Sequence, residues 1–310
     1  MKKFYHICLT AHSEVLLRGP DDVIFITNYI ALAAFRTDTQ ILVDSIMSTH
    51  IHLCVLTEDP YRFARSLASS LAKGFNTRHT RRGALFDGKP FILQIQGPQH
   101  MQMALNYTLR QGLHHAQSAT AFSYPWSTCN CIFTADRGVC STSSGGIRPS
   151  GIEEFFPKNA TIPEYWETGP DGMLLRKSFE QIPLVEQWYG TARNYIFSMI
   201  RKTSDEWLAE QDRDGPQCQK VTLGLLEAGY TAEQISRMLE NEGSTKLIQK
   251  ERSDMDLCRL IDGSILGRYK AASVYDLTAK QKSAIADELR RDLGIHSEKQ
   301  ISRCLAMRYL

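Results

Sequence analysis

Residues 41–60 read ILVDSIMSTHIHLCVLTEDP, and the fold turns on how they are read. Two apolar, β-branched runs, 40–47 and 50–56, are separated only by Ser48 and Thr49. Such spacing predicts an antiparallel hairpin. In the second run His50 and His52 flank Ile51, and side chains two apart on a strand share a face. Both imidazoles are therefore expected on one side of the sheet, flanked along the chain by Ile46, Ile51, Leu53 and Val55. Burying two neutral imidazoles without partners costs several kcal/mol. A divalent cation would satisfy both nitrogens at once. The plainer alternative, a pair of hydrogen-bonded strand histidines, stays open from this motif alone.

The flanking segments extend the pattern. FYHICLT (4–10) reads as a strand, and 21–36 as a helix capped by Asp21 or Asp22. After Pro60, Phe63, Leu67, Leu71 and Phe75 recur every four residues, the mark of an amphipathic helix that Gly83 ends. PFILQIQ (90–96) reads as a strand, and 98–116 as a helix opened by Pro98. The order βαββαβα predicts an α+β fold, helices packed on an antiparallel sheet, over residues 1–135. Residues 136–175 are rich in Gly, Ser and Pro and read as a linker.

Residues 176–310 read as an all-α C-terminal region. Within it TAEQISRML (231–239) and SEKQISRCL (297–305) echo each other. Each is expected to open with a capping box, Thr231 with Gln234 and Ser297 with Gln300. Short capped helices of this form resemble the first helix of a helix-turn-helix unit.

The 310 residues, 43% hydrophobic and 23% charged, suit a globular protein of roughly two domains. A net charge of +2 names no partner, but its distribution is uneven. Residues 1–130 hold 12 Lys+Arg against 8 Asp+Glu, which is +4, leaving −2 for the rest. In 62–89, seven basic residues face one acid, Asp87, as suits a phosphate backbone or a solvated helix face. Eight cysteines are too sparse for a disulfide scaffold, and Cys129, Cys131 and Cys140 fit no common zinc spacing. Neither a signal peptide nor an apolar run of membrane-spanning length is apparent, so a cytoplasmic location is expected.

Tyr107 and Gln111 lie four apart on the last helix and so share a face one turn apart. If Gln111 joins His50 and His52 at a cation, Tyr107 stands beside it, where a phenol can act as a nucleophile. By itself Tyr107 reads first as an amphipathic-helix residue packing beside Leu105 or Leu109.

His50-Ile51-His52 on a strand, then Tyr107-x-x-x-Gln111 on a helix, resembles the single-tyrosine HUH transposases. FYHICLTAHSEVLL, FNTRHTRRGALFDGKPF (75–91) and YPWST (124–128) are similar to the REP-associated branch, and a looser likeness runs through 171–207. The resemblance implies a ferredoxin-like HUH fold and metal-dependent nicking and strand transfer on single-stranded DNA, on hairpin-forming repeats. It implies a 5′-phosphotyrosine at Tyr107, with Mg²⁺ or Mn²⁺ held by His50, His52 and Gln111. Arg78, Arg81, Arg82 and Lys89 would contact the DNA backbone, His79 and Phe86 would stack on unpaired bases, and a homodimer is compatible. The sequence departs after the tyrosine, where RQGLHHA replaces the branch's usual continuation and introduces His114 and His115 as competing ligands. Two other functions remain in view. One is a domesticated, non-catalytic DNA-binding regulator. The other is a metal-dependent hydrolase or structural metal site, against which stand the basic stretch and the lack of acidic residues typical of two-metal hydrolysis.

Overall fold

A computed structural model describes residues 1–11, 13–139, 155–157, 160–227, 230–242 and 252–307. The N-terminal part runs β1 (Lys3–Thr10), α1 (Pro20–Arg36), β2 (Gln40–Ile46), β3 (His50–Thr57), α2 (Pro60–Arg78), β4 (Phe91–Gln94), α3 (Pro98–Leu109) and α4 (Gln111–His114). The strands form one antiparallel sheet in the order β2-β3-β1-β4. The expected α+β order is present.

Local chemistry moves some boundaries. Gly19, not an aspartate, precedes α1, and Asp22 acts from the first turn by accepting from the backbone N–H groups of Arg18 and Gly19. α2 stops at Arg78, before Gly83, because Thr80 adopts φ 52° and Arg81 folds back onto the Asn76 side chain and the Gly83 carbonyl. The helix expected over 98–116 breaks at Arg110, whose N–H is shared between the carbonyls of Asn106 and Tyr107.

Alternation divides the sheet into two faces. Tyr5, Ile7 and Leu9 of β1, with Ile51, Leu53 and Val55 of β3, pack against Phe25, Ile30, Phe63, Leu67, Leu71 and Phe75 of α1 and α2. Each such side chain, fully buried, is worth about 1.5–3 kcal/mol. The opposite face presents Phe4 and Cys54 to Met103, Ala104 and Tyr107 of α3. That second core also takes Val185, Tyr195, Trp207, Leu226 and Met238 from the C-terminal region.

Among the described residues, 136–175 contain no α-helix or strand, and the stretch 140–154 lies outside the described residues, as does Cys140. Beyond come α5 (Ile182–Tyr189), α6 (Ala192–Ile200), α7 (Asp205–Ala209), α8 (Leu223–Leu226), α9 (Ala232–Asn241), α10 (Asp254–Leu260), α11 (Ala279–Leu293) and α12 (Glu298–Cys304). The capping box expected at Thr231 and Gln234 is formed. At Ser297 only half of one exists: Ser297 accepts from the Gln300 N–H, but the Gln300 amide turns away to the Arg252 carbonyl and the Asp254 carboxylate. A charged acceptor is the stronger partner. No helix among the described residues is long and apolar enough to cross a membrane.

The edge strand β2 is pinned by a buried cluster. Arg176 donates to Asp44 at 2.7 Å and to Glu180 at 3.0 Å, all three being buried. One guanidinium cannot neutralise two carboxylates, and burial, with the neighbouring Asp44, raises the Glu180 carboxyl above its ordinary range. A raised folded-state value means the folded protein holds a proton the unfolded chain has released. The stabilisation is therefore complete below the ordinary glutamate value of about 4.3 and is lost as pH climbs above it, by up to about 1.4 kcal/mol per pH unit. Glu180→Gln should flatten the fall in melting temperature between about pH 5 and about pH 8, as followed by circular dichroism.

Candidate functional site

β3 places His50 and His52 on the face covered by α3, and β1 supplies their neighbours. Cys8 stands opposite His52, Thr10 opposite His50, and His6 opposite Cys54. His52 is wholly buried between two partners: its Nδ1 lies 3.0 Å from His6 Nε2, and its Nε2 lies 3.4 Å from Glu227. Burial disfavours the imidazolium, but its contacts with Cys8 and the Glu227 carboxylate outweigh this and lift His52 to about 10. His6 moves down, through burial and the charge on His52, and so stays neutral to accept from His52.

α3 brings Tyr107 to the same place. Its own N-cap is Gly97, at φ 89°, which carries no capping side chain. The cap comes from far along the chain: Asp214 accepts from the N–H groups of Gln99 and His100 at 3.2 and 2.9 Å and also pairs with the His100 ring. A Cβ at position 97 would overlap the Asp214 side chain, so glycine is required there twice over. The Tyr107 ring meets His52 edge-on, with centroids 5.4 Å apart, and stacks on His114. Its hydroxyl is buried, makes no well-formed hydrogen bond with a described residue, and lies beside the Glu227 carboxylate and the Gln111 amide. Gln111 Oε1 lies 3.4 Å from His50 Nε2. Gly112 lets the Tyr124 ring lie against α4, and Tyr124 donates to the Ile46 carbonyl at 2.7 Å. β2 and the turn that carries Gln111 are thus held together.

The group that sequence reasoning missed is Glu227, at the end of α8. Its carboxylate accepts from His115 at 3.2 Å and faces His52 at 3.4 Å. Burial would raise this carboxyl, yet the charge on His52 and the bonds from His115 and His52 hold it well below the ordinary range. Burial, reinforced by the Glu227 charge, drives the Tyr107 phenol well above its ordinary value. One turn on, His114 and Arg110 converge on Glu242, at 2.8 and 3.2 Å, and burial lowers His114 to about 4.

The donor atoms of His50, His52 and Glu227 all lie within 4.8 Å of one another, a grouping that could hold a metal ion. Two imidazoles and a carboxylate suit a first-row divalent cation. Gln111 Nε2 is buried with no well-formed partner among the described residues, and its Oε1 faces His50. His6, on the outer nitrogen of His52, is placed to fix its orientation. The signals were a strand alternation that puts His6 beside His52, and a lone acid after the apolar LGLL for Glu227.

The basic residues separate into two groups. Arg78 lies over the rings of Phe25 and Phe155 and near Asp21 and Asp22. Arg81 pairs with Glu14, and His79 bonds Asp22. Phe86 packs on the core. Arg82 and Lys89 are exposed and make no ion pair with a described residue.

Comparison with known proteins gives little beyond this geometry. No family model matches the chain, and no curated protein matches it. Among solved structures, a REP-associated tyrosine transposase bound to a REP hairpin aligns over 53% of this chain and 93% of its own, at 11% identity and a TM-score of 0.39. A likeness so distant carries no argument about this chain.

Mn²⁺ should bind the purified protein, followed by titration calorimetry or by the loss of free-ion EPR signal. His50→Ala or His52→Ala should remove that binding, and His6→Phe should weaken it about 10–100-fold. His6→Phe with unchanged affinity would mean that the His6–His52 contact does not tune the site.

Proposed function

We propose that this chain is a metal-dependent nicking and strand-transfer enzyme of the HUH type, built on a ferredoxin-like sheet and acting on single-stranded DNA through Tyr107. One observation carries this: the buried Tyr107 phenol sits edge-on to His52, beside three donors grouped for a cation. Hydrolysis needs no such phenol; covalent strand transfer does.

A divalent cation, Mg²⁺ or Mn²⁺, would polarise the scissile phosphate when bound. His50 and His52 would hold it, with Glu227 or Gln111 as the oxygen ligand, and His6 would keep His52 in line. The Tyr107 oxygen bonds to phosphorus as the bond from phosphorus to the 3′-oxygen breaks, and the phenol proton ends on the departing 3′-hydroxyl. The phosphodiester energy is kept in the phosphotyrosine, so a second 3′-hydroxyl reverses the step without ATP. Arg82 and Lys89, exposed beside the sheet, suit contacts with the phosphate backbone.

The burial of Tyr107, 2% exposed, favours a second reading, a non-catalytic DNA-binding protein on the same scaffold. A denaturing gel separates the two. Labelled single-stranded hairpins with Mn²⁺ should give a shifted, protease-sensitive band that Tyr107→Phe abolishes. Tight, salt-dependent binding without any adduct would establish the second reading instead.

A further inference from the structure

Neither the metal grouping nor the strand-transfer reading gives Cys8 a part, yet its sulfur stands among the donors. We propose that Cys8 is a fourth, thiolate ligand, and that Cys8, His50, His52 and Glu227 together form a closed site for a soft divalent ion, Zn²⁺ above all. The consequence for activity rests on the reading of Tyr107 given above: Zn²⁺ in this site holds the enzyme idle, because no coordination position is left for a phosphate.

Strand pairing sets the sulfur in place. Cys8 stands opposite His52 and Thr10 opposite His50. Cys8 Sγ lies 3.9 Å from His52 Nε2 and 3.6 Å from the Thr10 hydroxyl, so it points along the face that carries both histidines. Glu227 approaches the same His52 nitrogen at 3.4 Å. Zinc bonds of about 2.0 Å to nitrogen and oxygen and about 2.3 Å to sulfur put tetrahedral ligands about 3.5 Å apart for nitrogen and sulfur, and about 3.3 Å apart for nitrogen and oxygen. Both separations found at His52 are close to these. His50 brings the remaining donor, within 4.8 Å of the His52 and Glu227 atoms. His6 meets His52 at Nδ1, which leaves Nε2 as the nitrogen that faces the ion.

Charge and softness then select the ion. All four donors are buried, where a net charge is costly to leave uncompensated. A divalent ion held by two neutral imidazoles and Glu227 alone keeps one positive charge, and the Cys8 thiolate cancels it. Binding releases the thiol proton and the proton on His52 Nε2 to solvent, as bonds from the ion to sulfur and nitrogen replace bonds to water. Nothing is oxidised or reduced. Mg²⁺ and Mn²⁺ favour oxygen and gain little from sulfur, whereas Zn²⁺ binds thiolate strongly. With Mn²⁺ the sulfur stays out and a position remains open for substrate. With Zn²⁺ four protein ligands complete a tetrahedron, the mark of a closed site.

Co²⁺, the coloured stand-in for Zn²⁺, tests this on the reduced, metal-free, full-length protein. The unsubstituted chain should show a sulfur-to-cobalt charge-transfer band in the near ultraviolet, together with the visible bands of a tetrahedral ion, and Zn²⁺ should displace both. Cys8→Ser should lose the ultraviolet band. Its Zn²⁺ affinity, measured against a chromophoric chelator, should fall roughly a hundredfold or more while Mn²⁺ affinity moves about twofold at most. Cys8→Ala serves the same purpose if the serine variant does not fold. Absence of the band from the unsubstituted protein, or a band that survives loss of Cys8, would overturn the thiolate ligand. On the denaturing gel, Zn²⁺ equimolar with the protein should suppress the adduct that Mn²⁺ supports, and an adduct formed undiminished with Zn²⁺ bound would overturn the idle state. A Cys8-dependent band in a protein that forms no adduct with Mn²⁺ would instead overturn the catalytic reading and leave the four-ligand site standing.

Discussion

The register of β1 against β3 is the constraint on which the site depends. Cys8 faces His52 and Thr10 faces His50, so the alternation that buries Ile7, Leu9, Ile51 and Leu53 against α1 and α2 also gathers the polar groups on the other side. A slip of one residue would drive His50 and His52 into the apolar layer and expose the isoleucines to the polar one. The apolar face enforces the pairing, and the histidine cluster is its by-product.

The uneven charge of the chain acquires an internal meaning from this arrangement. Asp214 serves His100, Glu227 serves His52 and His115, Glu242 serves Arg110 and His114, and Asp262 serves Arg18. The acidic C-terminal region is complementary to the basic N-terminal part. Two of the twelve Lys and Arg in residues 1–130, Arg18 and Arg110, are matched in this way. The excess left to meet an outside partner is smaller than the sequence count suggests.

How much could be read from the sequence follows from the range of each signal. Strand and helix periods are local, and so β1 to α3 were legible, as was the convergence of His50 and His52 on one face. Capping chemistry is local too, yet it failed at Gln300, because its NH2 donates to Asp254 and the Arg252 carbonyl, and that orientation carries its oxygen away from the N-cap N–H. Arg78 and Arg81 look from the sequence like free cations, but Phe25, Phe155 and Glu14, distant in sequence, engage them. Glu227 could not be placed, since nothing near it reveals that α8 ends beside His52. The metal-grouping acid was legible only as an acid in apolar company.

The cap on α3 has a consequence for the order in which the protein comes into being. Asp214 lies 114 residues beyond His100, whose backbone N–H it accepts. At a synthesis rate of about 5–20 residues per second, the helix carrying the tyrosine waits roughly 6–23 s on the ribosome with its first turn unsatisfied. The sheet and its apolar face can form meanwhile, but the helix that completes the site is finished only when the C-terminal half arrives. A nascent or truncated chain therefore presents the histidines without a firmly seated tyrosine, and Tyr107 takes its place beside them only in the finished molecule.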